Sequence, residues 1–109
     1  MLPHADRAVV DLRKLRDYAL SLENDRGRHK AVVFRSALGV GPEDAEWLRD
    51  CILAGVLHTD ATKTDVKSYG VLYQVDVPVQ TEVGAAVVRT GWIVRTGETF
   101  PRLTTLYVR

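Results

Sequence analysis

The hydrophobic positions in the first half of the chain recur at helical spacing and predict three helices. The first runs from about Leu12 to Leu22 behind Asp11, which suits an N-cap. The second runs from about 28 to 38 and ends at Gly39, where glycine favours a left-handed terminus. The third begins at Pro42 and ends near residue 54. The apolar stripes that support these helices are formed by Leu12, Leu15, Tyr18, Ala19 and Leu22, then by Ala31, Phe34 and Leu38, and then by Ala45, Leu48 and Ile52.

The second half of the chain changes to the pattern of strands. Three segments, Tyr69–Val77, Ala85–Arg95 and Leu103–Val108, are rich in β-branched and aromatic residues. Their short connections make consecutive strands antiparallel neighbours. The polar stretch 55–68 lacks apolar periodicity and is predicted to be a mobile loop. We therefore predict an α+β fold in which N-terminal helices pack on one face of a C-terminal antiparallel β-meander of three to four strands.

The length and composition are those of one globular domain. The chain has 109 residues, of which 46% are apolar and 27% charged. Its beginning lacks the features of a signal peptide, and the lone Cys51 fits a reducing compartment. A cytoplasmic location without a membrane partner is predicted. The sequence holds no dinucleotide-binding, Walker A, zinc-protease or nucleophile-elbow motif, so no cofactor and no metal are predicted.

Positive charge is concentrated in two segments. Residues 26–36 hold four bases and no acid, and residues 85–109 hold four bases against Glu98 alone. If the fold brings these segments together, they form a positive cleft suited to a polyanion. We predict that they share such a cleft. The alternative is that the arginines only decorate solvated faces.

The second predicted strand places an arginine at an unusual position. Because side chains alternate along a strand, Val88, Thr90 and Trp92 share the face that looks like core, and Arg89 lies on the other face beside Gly91. A guanidinium in the middle of a sheet needs a carboxylate or a phosphate as its partner. A structural ion pair with Asp76 is the alternative to substrate binding.

The start of the second helix carries a further pair of chemically active side chains. His29 can transfer a proton near neutral pH, and Lys30 supplies positive charge for an anionic transition state. The alternative is that His29 lies on the surface or caps the helix.

Several runs of the sequence resemble a family of small uncharacterised bacterial proteins, a domain of unknown function. The most specific are Gly27-Arg28-His29-Lys30-Ala31, Arg89-Thr90-Gly91-Trp92-Ile93 and Pro101-Arg102-Leu103-Thr104-Thr105. In layout this family is more distantly similar to the barnase-like, colicin-like and RelE-like bacterial ribonucleases, which cleave RNA without metal and often act as toxins.

The resemblance implies a metal-independent endoribonuclease of a toxin–antitoxin pair, and the sequence favours an enzyme on this basis. The implied partners are RNA, free or on the ribosome, and a small antitoxin protein, and a homodimer is compatible with the resemblance. The alternatives are a non-catalytic protein-binding module, antitoxin-like or immunity-like, that uses Trp47 and exposed strand edges, and a nucleic-acid-binding regulator. The predicted catalytic residues are His29, Lys30, Arg89 and Tyr107, and the predicted substrate-binding residues are Arg28, Arg35, Thr90, Arg102 and Thr104.

Overall fold

A short 3-10 turn and three longer helical segments precede a four-stranded antiparallel sheet in the computed structural model, which describes residues 1–109. The predicted α+β fold is confirmed. The helical segments are a 3-10 turn (Ala5–Arg7), α1 (Leu12–Lys14) continuing as a π turn (Leu15–Ala19), α2 (Arg28–Leu38), and a second 3-10 turn (Pro42–Asp44) leading into α3 (Ala45–Gly55). The strands are β1 (Ala61–Lys67), β2 (Gly70–Gln80), β3 (Ala85–Arg95) and β4 (Arg102–Val108).

The first helical segment begins as predicted and then widens. The Asp11 carboxylate accepts a hydrogen bond from the Arg13 N–H at 3.0 Å, as expected of an N-cap. The segment then continues as a π turn, in which the Leu20 N–H donates to the Leu15 carbonyl at 2.8 Å. The helix therefore ends before the predicted Leu22.

Gly27 allows α2 to begin directly against this π turn. A Cβ atom at Gly27 would lie 2.0 Å from the carbonyl oxygen of Tyr18, so only glycine fits without movement of the backbone. The predicted span of α2 is confirmed, and Gly39 ends it with a φ of 67°. Gly27 thus fixes the position of Lys30, one turn into α2, relative to Tyr18.

Replacement of Gly27 by alanine is expected to destabilise the fold by about 1–3 kcal/mol, because the added methyl group forces α2 away from the Tyr18 carbonyl. Unfolding in denaturant measures this loss. Arg28→Ala changes an exposed neighbour and should have an effect of less than about 0.5 kcal/mol. Equal stability of the Gly27→Ala and Arg28→Ala proteins would contradict the close approach.

The sheet has the order β1-β2-β3-β4, with every neighbouring pair antiparallel. The prediction of a loop over 55–68 is wrong for half of its length, because β1 occupies 61–67 within it. All of β1 after its first residue is exposed, so its polar sequence carries no apolar alternation. Its backbone hydrogen bonds to β2, rather than burial of its side chains, hold it in the sheet.

Pro78 lies inside β2, although proline has no N–H to contribute to a sheet. The pairing of β1 with β2 reaches only from Gly70 to Val75 on β2. Pro78 pairs with Val87 of β3 and lies beyond the end of β1. The strand is therefore an edge at this position, which is where a residue without an N–H is tolerated.

The helices pack on one face of the sheet, as predicted. Val75 and Val77 of β2, together with Trp92 of β3, are at most 1% exposed on this face. Thr90 lies among them, where its hydroxyl donates to the Val75 carbonyl and accepts from the Trp92 indole N–H. The core also contains Leu15, Ala19 and Leu20 of the first segment, Phe34 and Leu38 of α2, Leu48 and Ile52 of α3, and Leu103 and Leu106 of β4.

The opposite face of the sheet carries no helix. Its residues alternate with the core residues along each strand, and several of them are polar. The residues on the open face of β2 to β4 include Leu72, Gln74 and Asp76, then Arg89, Gly91 and Ile93, then Thr105 and Tyr107.

No helix in the structure has the length and apolar character that a membrane crossing requires.

Candidate functional site

A groove with a volume of about 220 Å³ lies on the open face of the sheet. We call it the outer groove. It is lined by Thr64, Leu72, Tyr73, Gln74, Arg89, Gly91, Trp92, Thr104, Thr105 and Tyr107. All four strands contribute to it, and three of the predicted site residues, Arg89, Thr104 and Tyr107, are among those that line it.

Gly91 and an irregularity in β4 shape the groove. The register between β3 and β4 shifts after Gly91, so that both Thr104 and Thr105 lie near this glycine. A Cβ atom at Gly91 would be 2.9 Å from Thr105 Cγ2 and 3.2 Å from Thr104 Oγ1. Because Gly91 has no side chain, the two threonines of β4 lie close to β3 at this point. Both threonines line the groove.

Arg89 crosses the open face to Asp76. Its Nε and Nη2 donate to the two carboxylate oxygens at 2.9 Å and 3.1 Å, and Arg109 Nη1 donates to Asp76 Oδ2 at 3.0 Å. The structural ion pair considered from the sequence is confirmed. Because two guanidinium groups share one carboxylate, the cluster retains a positive charge. A guanidinium carries five N–H donors, of which Asp76 takes two from Arg89.

The hydrogen bonds from Arg89 hold the pKa of Asp76 below its ordinary value of 3.8, and the charges of Arg89 and Arg109 lower it further. The same contact with Asp76 raises the pKa of Arg89, and the phenol of Tyr107 adds to this rise. A carboxyl group with a lowered pKa in the folded state stabilises the fold above its unfolded pKa. That contribution is lost as the pH falls through the lowered value.

Asp76→Asn is therefore expected to remove part of the acid sensitivity of the fold. The variant should be less stable by about 1 kcal/mol at neutral pH and should lose less further stability between about pH 5 and pH 2 than the wild type does. Denaturant unfolding at several pH values measures both effects. Asp60→Asn alters an exposed carboxylate without an ion pair and serves as the control. An Asp76→Asn protein with the wild-type pH profile would contradict the assignment.

Lys30 reaches from α2 to the edge of the sheet. Its Nζ donates to Thr105 Oγ1 at 2.9 Å and lies 5.8 Å from the ring centre of Tyr107 and 5.2 Å from that of Tyr18. It forms no ion pair with a carboxylate. Tyr107 is the cross-strand partner of Arg89. The side chain of Tyr107 therefore lies between two cations, Lys30 and Arg89, of which only Arg89 has an acidic partner.

His29 is not part of this cluster. Ala31, Phe34 and Leu38 define the buried stripe of α2, and helical geometry places His29 on the opposite, exposed side. Its imidazole forms no hydrogen bond, so no neighbouring group selects a tautomer or orients the ring. The structure brings Lys30, Arg89 and Tyr107 together and leaves His29 in solvent.

The predicted substrate-binding residues are divided among several places. Thr104 lies at the outer groove. Thr90 is fully buried and both of its hydrogen bonds are internal, so its hydroxyl is not available to a substrate. Arg28 lies near Asp25 and Arg35 near Glu43, each at 4.0 Å and on exposed surface. Arg102 is held by both oxygens of Glu98 and stacks on Phe100. Of the cations in the two basic segments, Lys30 and Arg89 are the two that lie beside Tyr107.

A second depression, with a volume of about 570 Å³, lies on the other side of strand β4. We call it the edge cleft. It shares Thr104 and Thr105 with the outer groove. Its lining residues are Asp11, Arg13, Lys14, Tyr18, Arg26, Thr104, Thr105 and Leu106.

Sequence reasoning missed the roles of Tyr18 and Thr105. Tyr18 was assigned to the apolar stripe of the first helix, which is correct for part of its ring, since it packs against the core. Its ring also lies next to the ammonium group of Lys30. Gly27 was the signal for this contact, because a glycine before a helix allows another segment to approach closely. Thr105 belongs to the run Pro101–Thr105 but was not singled out, because its contact with Lys30 depends on the register shift in β4.

No group of three or more His, Cys, Asp and Glu side chains is placed to hold a metal ion.

Comparison with known proteins identifies the family. A family model described as a domain of unknown function, DUF6883, matches residues 1–109. The chain belongs to this family. No curated protein and no solved structure shows a significant match to it. Membership in DUF6883 confirms the resemblance to a family of uncharacterised small domains, and the similarity to ribonuclease toxins stays a prediction.

Proposed function

We propose that this chain is a metal-independent endoribonuclease of the toxin type, with its active site in the outer groove. The observation that carries the proposal is the ammonium group of Lys30, which is held beside Tyr107 without a carboxylate partner. A partly buried cation in this position favours an anionic ligand, and Lys30 and Arg89 would each bind one oxygen of a phosphodiester held beside Tyr107.

The chemistry requires two proton transfers and stabilisation of the negative charge on the phosphoryl oxygens. The ribose 2′-oxygen forms a bond to phosphorus and gives its proton to solvent water, while the bond to the 5′-oxygen breaks and that oxygen takes a proton from the Tyr107 hydroxyl, which solvent then reprotonates. Lys30 and Arg89 bind the non-bridging oxygens, whose negative charge grows in the transition state. Tyr107 hydrogen-bonds the phosphate or transfers a proton, because its hydroxyl both donates and accepts. This assignment replaces His29, which is exposed on α2.

Purified protein is expected to cleave RNA in the presence of EDTA and to leave 2′,3′-cyclic phosphate termini. Tyr107→Phe keeps the aromatic ring beside Lys30 and removes only the hydroxyl. We expect this variant to lose cleavage by roughly 10²–10⁴-fold, the usual contribution of general acid–base catalysis. Gel analysis of end-labelled RNA and mass spectrometry of the products measure both results.

One control variant and two contradicting outcomes decide how the result is interpreted. Tyr69→Phe removes the hydroxyl of an exposed tyrosine outside the groove and should cleave like the wild type. Full activity of Tyr107→Phe would exclude the tyrosine from the reaction. A wild-type protein that is inert on RNA and on ribosomes, and harmless when expressed in bacteria without its neighbouring gene, would overturn the ribonuclease function.

A second candidate function is a non-catalytic protein-binding module. It is favoured by a shallow groove of about 400 Å³ near the end of α2, where Trp47 and Val83 are 43% and 62% exposed. Co-purification with the product of a neighbouring gene, lost on Trp47→Ala, together with absence of RNA cleavage, would favour this function over the first.

A further inference from the structure

We infer that the edge cleft is a second phosphate-binding subsite, and that the substrate is a single RNA strand that crosses β4 at Thr104 and Thr105. This inference rests on the proposed function, since it extends the same binding surface beyond the outer groove. It assigns a role to Lys14 of the first helical segment and to Arg26 of the turn before α2, which the catalytic proposal does not use.

The two depressions lie on either side of one short stretch of β4 and share two of its residues. Thr104 and Thr105 line both of them. Both threonine side chains lie near Gly91, because the register of β4 shifts at this point. A strand bound in the outer groove can therefore continue over the sheet edge into the edge cleft, with two hydroxyl groups at the crossing that can hydrogen-bond phosphate oxygens.

The edge cleft has an excess of unpaired positive charge. Arg13 is held by Asp11 through two hydrogen bonds, at 3.1 Å and 2.9 Å, so this pair is neutral as a unit. Lys14 and Arg26 are exposed and form no ion pair. Two free cations without an acidic partner are suited to the phosphates of a nucleic acid backbone.

Lys30 connects the edge cleft to the outer groove. Its ammonium group lies 5.2 Å from the ring centre of Tyr18, which lines the edge cleft, and 5.8 Å from that of Tyr107, which lines the outer groove. Aromatic rings next to cations are the usual components of sites for single-stranded nucleic acids, because bases stack on the rings while cations hold the backbone. Neighbouring nucleotides of one strand would thus contact both sites.

The position of the crossing selects a single strand. The path runs from one face of the sheet, around edge strand β4, to a cleft on the other side, so the ligand must bend sharply within a few nucleotides. Double helices resist such bending, whereas a single strand follows it at little energetic cost. We therefore expect single-stranded oligonucleotides to bind more tightly than duplexes of equal length.

Binding of 2′-O-methyl RNA tests the subsite, because such RNA lacks the attacking hydroxyl and is not cleaved. Fluorescence anisotropy with a dinucleotide and a hexanucleotide is expected to show at least about tenfold tighter binding of the longer one by the wild type. The double variant Lys14→Ala/Arg26→Ala should lose most of this difference. Its salt dependence should fall by about 0.7 in log–log slope for each lost phosphate contact.

Three comparisons make the result specific. Lys14→Arg/Arg26→Lys retains both charges and should retain the length preference. Arg49→Ala removes a cation on α3, where Asp50 is its partner, and should have no effect. Because Lys14 and Arg26 are exposed, circular dichroism and thermal melting should show that the double variant folds like the wild type.

The outcomes separate this inference from the proposed function. If the wild type cleaves RNA but the double variant keeps the length preference and the salt slope, the subsite is overturned and the ribonuclease stands. If duplex RNA binds as tightly as a single strand, the path over β4 is overturned. If the wild type neither binds nor cleaves RNA, both proposals fail together.

Discussion

Trp92→Ala is expected to destabilise the protein by about 3–5 kcal/mol, the range observed when a large aromatic side chain is removed from a core. Trp92 is 1% exposed and is the largest of the fully buried side chains. Its indole N–H also donates to the Thr90 hydroxyl at 2.8 Å, so truncation leaves a cavity and removes an internal hydrogen bond. The midpoint of urea denaturation, combined with an unchanged m-value, measures this loss.

Trp47→Ala provides a matched control, because the same chemical change is made at a side chain that is 43% exposed. Its effect should not exceed about 1 kcal/mol. A Trp92→Ala protein that loses less than about 1 kcal/mol would show that the ring does not fill the space between sheet and helices.

Lys30→Ala is expected to reduce RNA cleavage by about 10²–10³-fold, the loss found when one preorganised donor to a developing negative charge is removed. The effect should appear mainly in kcat if Lys30 stabilises the transition state more than the bound substrate. The cleavage rate of a short RNA at saturating and at limiting concentration separates the two effects. Circular dichroism confirms that α2 remains folded.

His29→Ala is the matched control for Lys30→Ala. The two residues are adjacent on α2, but only Lys30 reaches Thr105 and the ring of Tyr107. We expect the His29 variant to retain activity within about threefold of the wild type. Loss of activity in His29→Ala with retention in Lys30→Ala would return the catalytic role to the histidine and would refute the site in the outer groove.

The helices could be predicted because their signals are local. Gly39 ends α2 in a left-handed conformation, and Pro42 opens the turn that leads into α3. Each feature depends on residues within one or two turns of chain. The π turn at Leu15–Ala19 could not be predicted in this way, since the same apolar spacing is compatible with an ordinary α-helix.

Strand β1 could not be predicted, because the usual signal of a strand is a buried face. Residues Thr62 to Lys67 are all exposed, so apolar and polar residues do not alternate along this strand. What fixes β1 is its pairing with Gly70–Val75 of β2 across a tight turn. Such pairing depends on the geometry of the partner strand, which the residues of β1 do not encode.

The candidate site shows the same division between local and distant information. Alternation along β3 correctly placed Thr90 with Trp92 in the core and Arg89 on the other face. The assignment of Thr90 to substrate binding came from the family resemblance, and the structure does not support it. The contact of Lys30 with Thr105 spans 75 residues of sequence, so only the fold reveals it.

The exposure of β1 has a consequence for the behaviour of the protein in concentrated solution. An unprotected sheet edge is a template on which another molecule can add a strand. The register shift between Lys63 and Asp65 interrupts the edge, and the ammonium groups of Lys63 and Lys67 lie on the same short strand. Irregular, charged edges of this kind disfavour intermolecular strand addition. The polar sequence that leaves β1 without the usual signal of a strand is thus also the property that disfavours strand addition at this edge.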